Sequence, residues 1–383
     1  MKLKSLIILT LLISFQQLYS QENYKSLSKE DSTKTYLGGP KYDVKTYTQK
    51  FKTQKPRNVI MMIGDGMGVS AIFAGLTANG GHLFLDNFKQ VGFSKTQSSD
   101  NYITDSAAGG TALSAGQKTY NGAIGVNAKG VAIKTVLEMA EEKGLATGLV
   151  STSAITHATP ASYIAHQASR GSYEDIAADF LKTDIDVFIG GGYKHFSDRK
   201  DKRDLTKELQ QKGYQVLRNM DEIAQVKTGK LAGLTADEHN DIAIKRKMNL
   251  PLSTETALNI LDQNKKGFFI MVEGSQIDWG GHQNDTRYVI IEMLDFDQAI
   301  GKALEFAAKD GETLIIVTAD HETGGMAIVG GDMKTGMVKG AFTSGEHTAV
   351  MVPVFAYGPG SENFTGIMEN TDIPKKIMKL LNF

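Results

Sequence analysis

Three apolar runs in this chain end on side chains of the kind that bind cations. Asn58–Ile63 leads into Gly64-Asp65, Gly267–Val272 into Glu273, and Thr313–Thr318 into Ala319-Asp320-His321. Each run is short, uncharged and rich in Val, Ile, Leu, Met or Phe, the pattern of a strand buried on both faces. Such strands belong in the middle of a parallel sheet covered by helices on either side. An acid at the end of one cannot enter that core. It belongs beyond the carboxyl edge of the sheet, where open α/β folds gather their functional groups. One such acid is weak evidence, whereas three on one edge would constrain both fold and chemistry.

The rest of the chain supports that architecture. Further strand patterns lie at Leu145–Ser151, Asp186–Ile189 and Val350–Tyr357, and helical patterns at Ile133–Lys143, Arg287–Lys309 and Pro374–Leu381. The alternation predicts a three-layer α/β/α sandwich around a mostly parallel central sheet. Residues 195–250 are more charged and poorer in strands, and read as a peripheral insertion rather than a second domain. Residues 21–50 are polar and aperiodic, the pattern of an exposed arm. At the very start, Lys2 and Lys4 precede an apolar run from Leu6 to Phe15, followed by Leu18-Tyr19-Ser20. That reads as a signal peptide over residues 1–20, because the run is too short to span a bilayer comfortably. The expectation is an exported chain, periplasmic or secreted, free of the membrane after cleavage. Residues 51–383 would then form one catalytic domain.

The chain has no cysteine. No disulfide can form, and any metal site must draw on His, Asp, Glu or hydroxyl groups, which favours catalytic zinc or magnesium over a structural thiolate site. The formal net charge is −1 and no long basic block stands out, which argues against nucleic acid as a partner.

Gly64-Asp65-Gly66-Met67-Gly68 at first suggests a dinucleotide fingerprint, but Val69 occupies the third glycine position. It reads better as an acid flanked by small residues, so that ions can approach Asp65 from more than one side; alone, it is also compatible with a turn aspartate. Asp320-His321 puts two ligand types at a strand end, where the chain can turn both toward one ion. Asp278 and His282 are four residues apart and share a face on a helical turn; a solvated polar loop is the plainer reading. Glu273 suits magnesium as a hard oxygen ligand. His347, in Gly345-Glu346-His347-Thr348, is a candidate third ligand beside Asp278 and His282. Ser106 opens a run of small residues with helical character, and a helix N-terminus favours an anion. That makes Ser106 either a nucleophile that receives a phosphoryl group or a plain capping serine. A serine-hydrolase elbow is ruled out, since Thr104 and Ala108 stand where glycines are required.

Taken together, D-G-M-G (65–68), T-D-S-A (104–107), H-A-T-P-A-S (157–162), E-G-S-Q-I-D-x-G-G-H (273–282), A-D-H-E-T-G (319–324) and G-E-H-T (345–348) resemble the metal-dependent alkaline phosphatase family, and most closely its cold-active bacterial members. The resemblance runs from about Arg57 to the C-terminus. It implies two zinc ions, one held by Asp278, His282 and His347 and one by Asp65, Asp320 and His321. It implies magnesium held by Asp65, Thr159 and Glu273, and a phosphate clamp at Arg170. It also implies broad hydrolysis of small phosphate monoesters at alkaline pH, through a phosphoserine on Ser106. His157 stands where some members place an aspartate near magnesium, which leaves open whether the third site holds magnesium or zinc. Trp279 stands where others carry lysine or histidine, and reads as a wall of the phosphate pocket. The family usually forms homodimers and often inserts a large crown domain between its A-D-H and G-E-H motifs. Here residues 322–346 leave room only for a reduced crown. Two alternatives remain: a phosphodiesterase or nucleotide pyrophosphatase of the same superfamily, and a non-catalytic exported protein that binds phosphate or metal.

Overall fold

The computed structural model describes residues 32–383, so the expected signal peptide and the first part of the arm lie outside the described residues. The central sheet contains β1 (Asn58–Gly64), β2 (Gln90–Lys95), β3 (Ala146–Ala154), β4 (Val187–Gly191), β5 (Gln215–Leu217), β6 (Leu231–Leu234), β7 (Phe268–Gly274), β8 (Thr313–Thr318), β9 (Val352–Tyr357) and β10 (Gly366–Glu369). Across the sheet they run β10-β2-β9-β8-β1-β7-β3-β4-β6-β5. Only β9 runs against its neighbours, antiparallel to both β2 and β8; the other pairings are parallel.

The three runs that opened the sequence argument are the middle of this sheet. β8, β1 and β7 are adjacent, and every residue in them is buried. Their alternating side chains feed two separate cores. Ile60, Met62, Ile270, Val272, Ile315 and Val317 pack with the helices Val69–Ala78, Leu250–Leu261 and Thr286–Asp310. Val59, Met61, Ile63, Phe269, Met271, Leu314 and Ile316 pack with the helices Ser106–Ala115, Val136–Glu142 and Asp372–Leu381 on the other face. This is the three-layer sandwich that the double-sided apolar runs require. Register then levels the strand ends: Ile63 lies beside both Glu273 and Thr318, and Ser151 of β3 beside Glu273. Residues just past these positions are forced onto one edge.

Two expectations need correction. The stretch 195–250 is not peripheral to the sheet, because β5 and β6 extend it on one side. Their few residues sit between charged segments, so the sequence pattern is too short to register as a strand. The part of the arm from residue 32 onward is laid against the body rather than standing free. Thr35 and Tyr36 pair antiparallel with Lys339 and Val338, in a small sheet completed by the hairpin Ala327–Asp332 and Met337–Ala341. Farther on, two asparagines grip its backbone. Asn79 Oδ1 accepts from Tyr42 N (2.8 Å) while its amide donates to Tyr42 O (3.1 Å). Asn87 does the same for Tyr47 N (2.7 Å) and Lys45 O (3.0 Å). A side-chain amide that donates and accepts can satisfy an extended chain as a neighbouring strand would, so no apolar periodicity is needed.

Candidate active site

At or just beyond the carboxyl ends of β1, β7 and β8 lie Asp65, Glu273, Asp320 and His321, all fully buried. The helix Ser106–Ala115 abuts this edge through glycine: a Cβ on Gly109 would stand 3.1 Å from Asp320 Cβ. Its N-cap is Asp105, whose Oδ1 accepts from Ala108 N at 2.9 Å. Ser106 is therefore the first residue of the helix rather than its cap, and its side chain is free to face the acids. Ser106 Oγ lies 3.2 Å from His321 Nε2. The same nitrogen is 3.4 Å from Asp65 Oδ1 and 3.4 Å from Asp320 Oδ2.

A second cluster sits on the short helix Gln276–His282. The four-residue spacing does bring Asp278 and His282 together, with His282 Nε2 at 3.3 Å from Asp278 Oδ2. His347 arrives from a two-residue strand paired with Glu322–Thr323, and its Nε2 is 3.5 Å from Asp278 Oδ1 and 3.2 Å from His282 Nε2. Carbonyl groups fix both imidazoles: His282 Nδ1 donates to Gly345 O (2.7 Å) and His347 Nδ1 to Thr104 O (2.9 Å). Each ring is thereby held with its Nε2 lone pair facing the cluster, the orientation a metal ligand needs. The His321 and His347 rings stack at 3.6 Å, so the two clusters share a wall.

A third group joins Asp65, His157 and Glu273. Ser151 and Ser275 each donate to Glu273 Oε2 at 2.7 Å. Glu273 Oε1, Thr159 Oγ1, His157 Nδ1, Asp320 Oδ2 and both oxygens of Asp65 are buried without a hydrogen-bond partner. Orphaned polar atoms are rare in folded proteins, and here they converge. Burial, reinforced by Asp278 and Glu273, pushes the Asp320 carboxyl up to about 8. Burial and then Asp320 hold the Asp65 carboxyl well above its ordinary value. Four carboxylates in so small a volume require positive charge between them. The donor set of carboxylate, imidazole and hydroxyl groups fits zinc in the first two clusters and magnesium at Asp65, Thr159 and Glu273.

Arg170 completes the rim. Its Nη1 donates to Asp105 Oδ2 at 2.9 Å, and its Nη2 lies 3.3 Å from His157 Nε2. Burial, and then the charge of Arg170, push the His157 imidazole down to about 3, so it is neutral and accepts from the guanidinium. Trp279 stands beside His157 (ring centroids 6.2 Å) and beside His239 (5.0 Å). Sequence reasoning missed His239, which β6 and the loop after it bring back to the site, where its Nδ1 accepts from Ala154 N at 3.1 Å. It also missed Asp105, Thr323, Ser151 and Ser275. For Asp105 a signal existed, since an Asp before a run of small residues is a strong N-cap.

The family model described as alkaline phosphatase matches residues 56–340 and 337–383. Alkaline phosphatase 4 of Bacillus subtilis (strain 168) is 40% identical over 85% of this chain and 88% of its own length. The alkaline phosphatase of Escherichia coli (strain K12) is 33% identical over 84% of this chain and 85% of its own. Among solved structures, the alkaline phosphatase of the Antarctic bacterium TAB5 superposes with a TM-score of 0.81 at 43% identity, covering 87% of this chain and 99% of that one. A histidine-to-aspartate variant of the TAB5 enzyme has been solved with magnesium bound.

Proposed function

This chain belongs to the alkaline phosphatase family, and from that membership we propose that it hydrolyses small phosphate monoesters through a phosphoserine formed on Ser106. The observation that carries this reading is the convergence of Ser106 Oγ, Asp65 Oδ1 and Asp320 Oδ2 on His321 Nε2, all within 3.4 Å. A hydroxyl at the start of a helix, facing buried acids and an imidazole, is what a phosphoryl acceptor beside a cation requires.

We assign one zinc to Asp278, His282 and His347, a second to Asp65, Asp320 and His321, and magnesium to Asp65, Thr159 and Glu273. Bound there, these ions would supply Lewis acidity, neutralising charge on the transferring group and lowering the pKa of the attacking hydroxyl or water. The chain's own groups do the rest. Arg170, braced by Asp105, binds two phosphoryl oxygens with its planar fork. Ser106 Oγ gives up its proton to solvent and attacks phosphorus in line; the new P–O bond forms as the bond to the alcohol breaks, and the alcohol oxygen leaves with that electron pair and takes a proton from solvent. Water then attacks phosphorus from the side the alcohol vacated; the bond to Ser106 Oγ breaks, inorganic phosphate leaves, and Oγ regains a proton to restore the hydroxyl. Trp279 and His157 wall the pocket. The groups assigned here hold the phosphoryl group and the ions rather than the alcohol, so breadth of substrate is expected, and an alkaline working range suits the deprotonation of the serine hydroxyl and water.

Residues 51–383 act as one catalytic unit in this proposal, with 322–346 as a reduced crown. Export rests on residues 1–20, and assembly as a homodimer on the habit of the family. Among the described residues no helix is long and apolar enough to cross a membrane.

The test compares aryl phosphate monoesters with diesters on the mature chain, with acid trapping of the phosphoenzyme and mapping of the labelled residue. Faster monoester turnover, label on Ser106, and loss on chelation that zinc plus magnesium reverses are expected. Faster diester turnover, or label elsewhere, would overturn the proposal.

A further inference from the structure

Thr323 belongs to none of the three clusters, yet its hydroxyl touches two of them. Thr323 Oγ1 hydrogen-bonds Asp278 Oδ1 and stands 3.2 Å from His321 Nδ1. Its backbone amide donates to Gly66 O at 3.2 Å, next to Asp65, and it pairs across strands with His347. Space is kept for it from two sides. A Cβ on Gly66 would come within 2.7 Å of both Thr323 Oγ1 and Asp278 Cα, and Gly66 also has φ +71°. A Cβ on Gly281 would come within 2.9 Å of the Thr323 side chain. Gly66 thus opens onto the Thr323 hydroxyl, and Gly281 onto the Cβ and methyl of the same side chain.

The chemistry of that hydroxyl differs from that of the other groups that hold the histidines. His282 and His347 present their Nδ1 atoms to carbonyl oxygens, which only accept. His321 presents its Nδ1 to a hydroxyl, which accepts and also donates its single hydrogen. We propose that Thr323 is a positioning residue that couples the Asp65/Asp320/His321 cluster to the Asp278/His282/His347 cluster, so that a cation in one raises the affinity of the other. The inference rests on reading both clusters as metal sites.

A cation at His321 Nε2 occupies that lone pair and leaves the ring proton on Nδ1. Nδ1–H then donates to Thr323 Oγ1, and the hydroxyl hydrogen is directed to Asp278 Oδ1. The two bonds run head to tail and strengthen each other. Asp278 is left with one oxygen held and the other, Oδ2, facing His282. With no cation at His321, the ring can carry its proton on Nε2. Nδ1 then becomes an acceptor and competes with Asp278 for the same hydroxyl hydrogen. Asp278 is buried, so losing its donor costs it orientation and charge stabilisation. Filling one cluster therefore prepares the other, and by linkage the effect is reciprocal.

The experiment titrates zinc into the metal-stripped mature chain against a chromophoric chelator and reads the ratio of the two stepwise affinities. Thr323→Val keeps the shape and removes the hydroxyl; it should weaken the second step relative to the first by about 10- to 100-fold. Thr323→Ser keeps the hydroxyl and should restore the parent ratio. A merely structural role would lower melting temperature or weaken both steps alike and leave the ratio unchanged, which would overturn the proposal. Should the Val variant fail to fold, Thr323→Ala, which adds no bulk, reads the same ratio against Thr323→Ser. A parent that takes up no zinc would instead overturn the ligand assignment itself.

Discussion

Asp105 grips Arg170: its Oδ2 accepts from Arg170 Nη1 at 2.9 Å while its Oδ1 caps the helix that starts at Ser106. One carboxylate thus fixes both the nucleophile's helix and the phosphate clamp. Asparagine caps helices as well as aspartate does, so the two duties can be separated. Asp105→Asn is expected to leave the melting temperature almost unchanged and to lower kcat/KM about tenfold, the effect of losing roughly 1.4 kcal/mol when a charge-assisted bond becomes neutral. Thermal melts beside steady-state kinetics check it; equal loss of stability and activity would count against it.

His157 faces Asp65 and Glu273 as a neutral imidazole. An imidazole is a poor ligand for a hard cation, whereas a third carboxylate suits it. His157→Asp is expected to lower the magnesium concentration for half-maximal reactivation after chelation by about tenfold or more. A magnesium titration of the stripped enzyme at fixed zinc measures this, and no shift would show that His157 does not limit the third site.

Trp279 has one N–H to donate and no charge. Trp279→Lys would put an ammonium group beside the phosphate pocket. The expected outcome is tighter inhibition by inorganic phosphate, by about tenfold, with turnover falling as product lingers. Unchanged inhibition constants would mean that this wall does not govern product release.

Away from the site, Asp297 is fully buried and accepts from Tyr42 Oη (2.6 Å), Phe84 N (2.8 Å) and Leu85 N (3.2 Å). Burial pushes its carboxyl up to about 7, and those three donors offset only part of the rise. A folded-state value above the unfolded one means the native chain holds this proton more tightly. Its contribution is fully present below pH about 4 and is lost as pH rises to about 7, on the order of 4 kcal/mol at most. Asp297→Asn is therefore expected to remove part of the fall in stability between pH 4 and 7, visible as the difference between parent and variant denaturation midpoints. Parallel curves would refute it.

The middle of the fold was legible because a strand buried on both faces has nowhere to put a polar residue. Its apolar run is unbroken, and its first acid marks the edge. β5 and β6 escaped notice because strands of three or four residues are too short to show such a run. The spacing of Asp278 and His282 announced a shared helical face, and Asp320-His321 a shared turn. Arg170 and Thr159 were visible only through resemblance, since neither an arginine in a polar loop nor a threonine before a proline carries its own signal. Thr323 and His239 were missed for a related reason. Thr323 reaches Asp278 and His239 reaches Ala154 and Trp279 across tens of residues, and no local periodicity records a contact of that kind.

The order of strands carries a consequence for when the site comes into being. β1 is made first yet lies between β7 and β8, and the ligand set is complete only with His347. A chain emerging from its N-terminus must carry Asp65 for more than half its length before Glu273, and later Asp320 and His321, exist to close around an ion. Folding of this sheet is therefore late and non-local, and metal loading is an event of the finished chain. If the chain is exported unfolded, as proposed above, it would thereby acquire its ions, and its activity, only on the far side.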